Sequence, residues 1–205
     1  MPSNATTTAI EQIPAQFLTS APTLKDCPAD DKPEVAFAGR SNAGKSSVLN
    51  QLTRSKNLAR TSKTPGRTQM LNFFATDWGG RLVDLPGYGY AAASKDKRRG
   101  WQRHVEAYLA ERRSLTGLVL VMDSRHPFQP FDEQMLDWAR VSEMPTLVLL
   151  NKADKLNQSA RARVLRDATE RFATTTHIAA LLFSATTGLG RDAVIHQLSE
   201  WLRDE

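Results

Sequence analysis

Gly39-Arg40-Ser41-Asn42-Ala43-Gly44-Lys45-Ser46 places two glycines around four residues and closes on Lys-Ser, the spacing of a phosphate-cradling P-loop. The apolar run Val35 to Ala38 precedes it, and a helix-compatible run from Lys45 to Leu52 follows. That strand–loop–helix context is what the chemistry requires. Glycines let successive backbone N–H groups turn toward phosphate oxygens, and a helix N-terminus adds the positive end of its dipole. In this frame Lys45 reaches the β- and γ-phosphates and the Ser46 hydroxyl offers an oxygen to Mg²⁺. The competing reading is an ordinary glycine turn, which the flanking strand and helix disfavour.

Three further segments follow in the order used by guanine-nucleotide switches. Asp84-Leu85-Pro86-Gly87 ends the apolar stretch Leu82–Val83; there Asp84 can hold the Mg²⁺ shell through water and the Gly87 N–H can face a γ-phosphate. Alone, Asp-x-x-Gly is a common turn. Asn151-Lys152-Ala153-Asp154 follows the buried-strand pattern Thr146 to Leu150 and is sharper. Guanine presents N1–H and its 2-amino group side by side, and one carboxylate, Asp154, accepts both. Adenine has an acceptor at N1 and no 2-amino group, and unpaired buried polar groups cost about 1–3 kcal/mol each. Asn151 contacts the base and ties its loop to the P-loop, while the Lys152 stem lies along the purine face. Ser184-Ala185-Thr186, after the apolar run Ala179–Phe183, offers a backbone N–H to the guanine carbonyl oxygen, though alone that tripeptide means little.

Two more stretches carry a family signature: Thr64-Pro65-Gly66-Arg67-Thr68-Gln69, and Asp-Leu-Pro-Gly-Tyr-Gly-Tyr from Asp84 to Tyr90 with the basic run after it. Together with Phe37 to Ser47 they resemble the EngB (YihA/YsxC) family of bacterial GTPases, of the TrmE-Era-EngA-EngB-Septin-like superfamily, from about Phe17 to the C-terminus. Asn151 stands where a Thr is also common. The resemblance implies a cytoplasmic enzyme of the translation-factor class that hydrolyses GTP to GDP as a switch in large ribosomal subunit assembly and is needed for normal septation in cell division. It implies Mg²⁺ held by Ser46 and Thr68, with Asp84 acting through water. Nucleotide contacts are then expected from Gly39 to Ser46, from Gly66, Arg67, Thr68, Gln69 and Met70, from Asp84 to Gly87, from Asn151 to Asp154, and from Phe183 to Ala185. The residues expected to serve hydrolysis are Lys45, Thr68, Gly87 and Asn42.

The chain has 205 residues, enough for one domain with a substantial core. Residues 1–15 are expected to be a mobile segment and 16–205 a single G domain. Cys27 is the only cysteine, so no intrachain disulfide forms and a reducing compartment fits. No apolar run approaches the roughly 18 residues that span a bilayer, and a monomer without membrane contact is expected.

Charge is informative by position. Val35 to Thr76 holds no acidic residue and seven basic ones: Arg40, Lys45, Arg54, Lys56, Arg60, Lys63 and Arg67. The whole chain has 27 basic and 22 acidic residues; without those seven the balance is 20 against 22. A second cluster, Lys95, Lys97, Arg98, Arg99 and Arg103, is opposed only by Asp96. One GTP cannot use so many cations. A solvated helix face is the plain alternative; a ribosomal RNA partner, with salt-dependent affinity, is the sharper one. A switch acting directly on a division protein without RNA contact is the second function considered. A metabolic kinase is the third, and the base-reading loop would have no purpose there.

Alternating apolar runs and helix-like stretches predict an α/β, Ras-like P-loop fold with a mixed six-stranded sheet and helices on both faces. Strands are expected at Glu34–Ala38, Gln69–Ala75, Arg81–Asp84, Thr116–Met122, Pro145–Leu150 and Ile178–Phe183. The second and third pair antiparallel across Asp77-Trp78-Gly79-Gly80. Helices are expected at Lys45–Leu52, Lys95–Glu111, Phe131–Arg140, Ser159–Phe172 and Arg191–Arg203, and Phe17-Leu18 can add an edge segment. Tyr88 occupies the position after Asp-x-x-Gly where many GTPases place a water-orienting Gln. Intrinsic hydrolysis is therefore expected to be slow. Two devices could supply the missing charge: K⁺ held by Asn42, which stands where K⁺-stimulated relatives of the resembled superfamily carry an ion-coordinating Asn, or a group donated by the partner.

Overall fold

A computed structural model describes residues 12–29, 31–59, 70–88 and 104–203. Its strands are β1 (Ala15–Ala21), β2 (Glu34–Gly39), β3 (Leu71–Thr76), β4 (Arg81–Asp84), β5 (Leu115–Asp123), β6 (Thr146–Asn151) and β7 (Ile178–Leu182). The helices are α1 (Lys45–Leu52), α2 (residues 104–111), α3 (Pro130–Val141), α4 (Gln158–Arg171) and α5 (Arg191–Leu202). The first part of the helix expected from Lys95, with its basic cluster, lies outside the described residues. So does the Thr64–Gln69 loop.

The strands form one sheet in the order β1-β3-β4-β2-β5-β6-β7. β4, β2, β5, β6 and β7 are parallel, whereas β3 runs antiparallel to both β1 and β4. Among the described residues the sheet has seven strands rather than six, because the segment around Phe17-Leu18 pairs fully with β3. Its pattern hides this: Phe17 is 58 % exposed, and a register irregularity between Phe17 and Thr19 breaks the alternation. The packed domain also begins before residue 16. Ile13 is buried, its N–H donates to the Leu52 carbonyl, and the Pro14 carbonyl accepts from the Asp77 N–H.

Period-two alternation in buried strands supplies two cores, one per face. Val35 and Phe37 of β2, Val119 and Val121 of β5 and Leu147 and Leu149 of β6 join Val48, Leu49 and Leu52 of α1 and Val194, Ile195, Leu198 and Leu202 of α5. Their neighbours Ala36, Ala38, Leu118, Leu120, Val148 and Leu150 face the other way, onto Val105 and Tyr108 of α2, Leu136 of α3 and Ala168 of α4. Helix starts follow local chemistry: Pro130 opens α3, and Asn157 caps α4 by accepting the Ala160 N–H at 2.9 Å.

At the amino ends of the central strands, the wholly buried Glu34 carboxylate accepts from Arg81, from Arg112 and from the Tyr108 hydroxyl. A buried carboxylate persists only with such pairing. This cluster pins β2, β4 and the end of α2 together, leaving the carboxyl ends of the strands free to carry loops. The order reverses at β2, with β4 on one side and β5 on the other. In open α/β sheets ligands bind at such a point, beyond the strands' carboxyl ends.

Candidate nucleotide site

The Gly39–Ser46 loop leaves β2 at that reversal point. Its start is fixed by a parallel bridge between Arg40 and Tyr88: the Ser41 N–H donates to the Tyr88 carbonyl at 2.7 Å, and the Tyr88 N–H to the Gly39 carbonyl at 3.3 Å. Asn42 and Gly44 both take left-handed backbone, with φ of 70° and 96°. A β-carbon on Gly44 would collide with the Asn151 amide nitrogen, so this position demands glycine for both space and conformation. Gly44 caps α1 without a side-chain bond. The first-turn N–H groups of α1 thus face the loop's hollow, the arrangement that attracts anions.

Lys45 and Asp84 meet directly: the Lys45 ammonium pairs with Asp84 Oδ1, and both side chains are nearly buried. Ser46 sits part-exposed in the first turn of α1. Gly87 lies over the loop, and the space where its β-carbon would stand meets nothing closer than the Gly39 carbonyl at 3.6 Å. There is room for a ligand atom to approach its backbone. Among the described residues no group of three or more His, Cys, Asp or Glu side chains could cage a metal. Ser46, next to Lys45, and Asp84, which Lys45 reaches, offer hard oxygens of the kind that suits Mg²⁺, an ion that keeps water and substrate phosphate oxygens in its shell. Gly66, Arg67, Thr68 and Gln69 lie outside the described residues; Met70 stands just before β3, at the same end of the sheet.

The Asn151–Asp154 loop is bonded to the P-loop at two consecutive carbonyls. Asn151, 1 % exposed, donates its amide to the Ala43 carbonyl at 2.8 Å. The Lys152 ammonium donates to the Asn42 carbonyl at 2.6 Å. Asp154 accepts the Ser184 hydroxyl at 2.7 Å and lies 3.2 Å from the Lys155 ammonium. The Ser184 bond first, then Lys155, hold the Asp154 carboxyl below its ordinary range, so it stays an acceptor-only anion. Ser184 is itself fully buried and takes the Thr187 N–H at 3.1 Å. Within the Ser184-Ala185-Thr186 segment, the Ala185 N–H donates to Asn151 Oδ1 at 3.3 Å, a long bond that joins this segment to the Asn151–Asp154 loop.

Asp123 was not singled out from the sequence, and neither was the partner of Tyr88. Asp123, the last residue of β5, accepts the Lys152 ammonium at 2.9 Å and a forked pair from Arg125. Only the β5–β6 register, Asp123 opposite Asn151, could have revealed it. Tyr88 is 3 % exposed; its hydroxyl donates to Asp132 at 2.8 Å and its ring packs on Phe131. Burial, then the Asp132 carboxylate, push the phenol well above its usual range. The side chain after Asp-x-x-Gly is therefore turned into the α3 core. A separate hollow of about 390 Å³, lined by Leu18, Thr19, Asp26, Lys32 and Arg81 among others, lies at the opposite end of the sheet and contains none of these loops.

Residues 34–152 match the family described as "50S ribosome-binding GTPase". Over 191 residues the chain is 49 % identical to the "Probable GTP-binding protein EngB" of Glaesserella parasuis serovar 5, covering 92 % of this chain and 90 % of that one. It is 52 % identical over 192 residues to the protein of the same name from Tolumonas auensis, at 92 % and 90 % coverage. The chain belongs to the EngB family of GTP-binding proteins. EngB proteins are GTPases, and this one is a GTP-hydrolysing enzyme. Solved structures agree on the fold. A crystal structure of "a probable GTP-binding protein engB" superposes with a TM-score of 0.67 at 22 % identity, over 84 % of this chain and all of that one. Era, in complex with MgGDPNP and a piece of 16S ribosomal RNA, gives 0.65 at 22 % over 84 % of this chain and 57 % of Era. No helix among the described residues of this EngB chain is long and apolar enough to cross a membrane.

Proposed function

We propose that this EngB-family GTPase is a cytoplasmic switch for large ribosomal subunit assembly. GTP loading shapes a basic surface that binds the assembling subunit, hydrolysis to GDP releases it, and septation in dividing cells depends on the ribosomes so made. The observation that carries the switch reading is the pair of bonds from Asn151 and Lys152 to consecutive P-loop carbonyls, which makes base recognition and phosphate binding one rigid unit. The ribosomal part is supported by the family's description and by the run of seven basic residues without an acidic one from Val35 to Thr76. A switch acting on a division protein alone gives that charge no task.

In this scheme Asp154 reads the guanine edge, the Lys152 stem covers the purine face, and the N–H groups from Gly39 to Ser46 surround the phosphates. Lys45 leaves Asp84 for the β- and γ-phosphates. Ser46 and Thr68 hold Mg²⁺, and Asp84 supports its shell through water; when bound, the ion neutralises phosphate charge. Gly87 donates its N–H to the γ-phosphate, and Thr68 and Gly87 relax after hydrolysis. Nucleotide contacts are also expected from Gly66 to Met70, and Phe183 to Ala185 complete the base pocket. GTP-loaded protein is expected to co-sediment with ribosomal precursor particles more strongly than GDP-loaded protein, and the bound fraction to fall steeply with salt. Equal co-sedimentation in both states would remove the switch from the reading.

With Tyr88 turned into the core, no side chain at that position orients the attacking water, and intrinsic hydrolysis is slow. Asn42 supplies the alternative: it is exposed, its backbone is left-handed, and Lys152 holds its carbonyl. Asn42 would be the residue to hold a K⁺ ion, as the Asn at this P-loop position does in K⁺-stimulated relatives of the superfamily, and the ion would supply positive charge to the transition state. Hydrolysis is then expected to run about tenfold or more faster in K⁺ than in Na⁺, with the difference gone in Asn42→Ala. Equal rates in the two salts would leave the ribosomal partner as the source of activation.

A further inference from the structure

We propose that Asp123 is a positioning residue for nucleotide binding: with Arg125 behind it, it clamps the Lys152 ammonium so that the lysine stem is ordered over the purine before nucleotide arrives. The proposal rests on the reading of Asn151–Asp154 as the base loop and adds a residue to it.

Asp123 ends β5 directly opposite Asn151 of β6, so strand register delivers its side chain to the start of the base loop. The carboxylate is itself fixed from behind. Arg125 grips it with Nε on Oδ1 at 2.9 Å and Nη2 on Oδ2 at 2.6 Å, and the Arg125 backbone N–H adds a bond to Oδ1 at 3.1 Å. Such a forked guanidinium pair sets orientation as well as charge. The remaining capacity of Oδ2 takes the Lys152 ammonium at 2.9 Å. From the other side the same ammonium donates to the Asn42 carbonyl at 2.6 Å.

Lys152 therefore has its backbone held in a left-handed turn, φ 62°, and its charged tip held by two acceptors on different elements. A free lysine side chain has large rotamer entropy to lose on binding. Here that cost is met within the folded protein, which is how preorganisation raises affinity. Without the Asp123 charge, the Asn42 carbonyl alone would hold a partly exposed ammonium. The stem would then swing toward solvent, and the P-loop carbonyl at Asn42 would lose its strap.

The effect should fall on purine nucleotides with and without the 2-amino group alike, because Asp154 is not involved. Calorimetry of GDP and inosine diphosphate on the full chain tests this. Asp123→Asn is expected to weaken both by the same factor, about tenfold, the scale of one hydrogen bond to a charged group. Arg125→Ala, on the surface, is expected to weaken both by a smaller common factor and serves should Asp123→Asn fold poorly. In a Lys152→Ala background neither change should weaken binding further, since the element being positioned is gone. Losses that multiply in that background would overturn the proposal, as would parent-like affinity in Asp123→Asn. A loss confined to GDP would also overturn it, by showing that the Asp154 contact had loosened instead. A parent protein that binds ADP as tightly as GDP would overturn the base-loop reading itself, a result distinct from the others.

Discussion

Asp154→Asn is expected to lose GTP and gain xanthosine triphosphate. In the proposed pocket guanine offers two neighbouring donors, and the Asp154 carboxylate, kept ionised by the Ser184 hydroxyl and Lys155, would accept both. An asparagine amide has one acceptor and one donor side, so it still takes N1–H but opposes the 2-amino group with its own N–H. Xanthine carries a carbonyl oxygen at that position, and the same amide satisfies it. Hydrogen bonds to charged groups contribute about 1.5–3 kcal/mol each, so losing one and creating a donor–donor clash should cost GTP roughly 100-fold or more. Xanthosine triphosphate should gain by a similar factor. The Ser184 hydroxyl can turn to suit either side chain, so the loop keeps its shape. Titration calorimetry with the two triphosphates reads both changes, and GTP affinity that stays at the parent's value would take Asp154 out of the base pocket.

Lys45→Ala is expected to stop hydrolysis more completely than it stops folding. Lys45 is at the start of α1 with its ammonium on Asp84, a partner it would exchange for phosphate oxygens under the proposed function. Charge developing on the transferring phosphoryl group is stabilised by fixed positive groups, and removing one such group costs about 10²–10³ in rate. Single-turnover phosphate release should fall by that factor, while base selectivity, carried by Asp154, persists. The loss of a partner for Asp84 lowers the melting temperature, and Asp84→Asn in the same chain should restore part of it. Hydrolysis within twofold of the parent would show that Lys45 does not touch the phosphates.

The P-loop, the Asp84 turn and the Asn151–Asp154 loop were legible in the sequence because each is local: a few residues whose spacing fixes both conformation and chemistry. The central strands were equally plain, since Val35–Ala38 and Thr146–Leu150 are buried on both faces and need no alternation to be recognised. β1 was harder. Its exposed Phe17 and Leu18 and its irregular register give no period-two pattern, and only pairing with β3 makes it a strand. The early start of the packed domain at Ile13 escaped for the same reason, a single apolar residue without a run around it. Asp123 and Arg125 could not be found by motif, because their meaning comes from lying across the sheet from Asn151. Nor does the sequence reveal that Tyr88 turns inward. Its partner Asp132 sits on α3, far along the chain, and their bond exists only once the two meet over the core.

Binding of GTP and ATP to the parent protein in Mg²⁺, compared by calorimetry, is the most direct test of whether this site reads guanine. GTP should bind at least 100-fold more tightly, the margin expected from two hydrogen bonds to one buried-edge carboxylate. ATP binding of equal strength would contradict the base pocket, and with it the role given to every residue from Asn151 to Asp154.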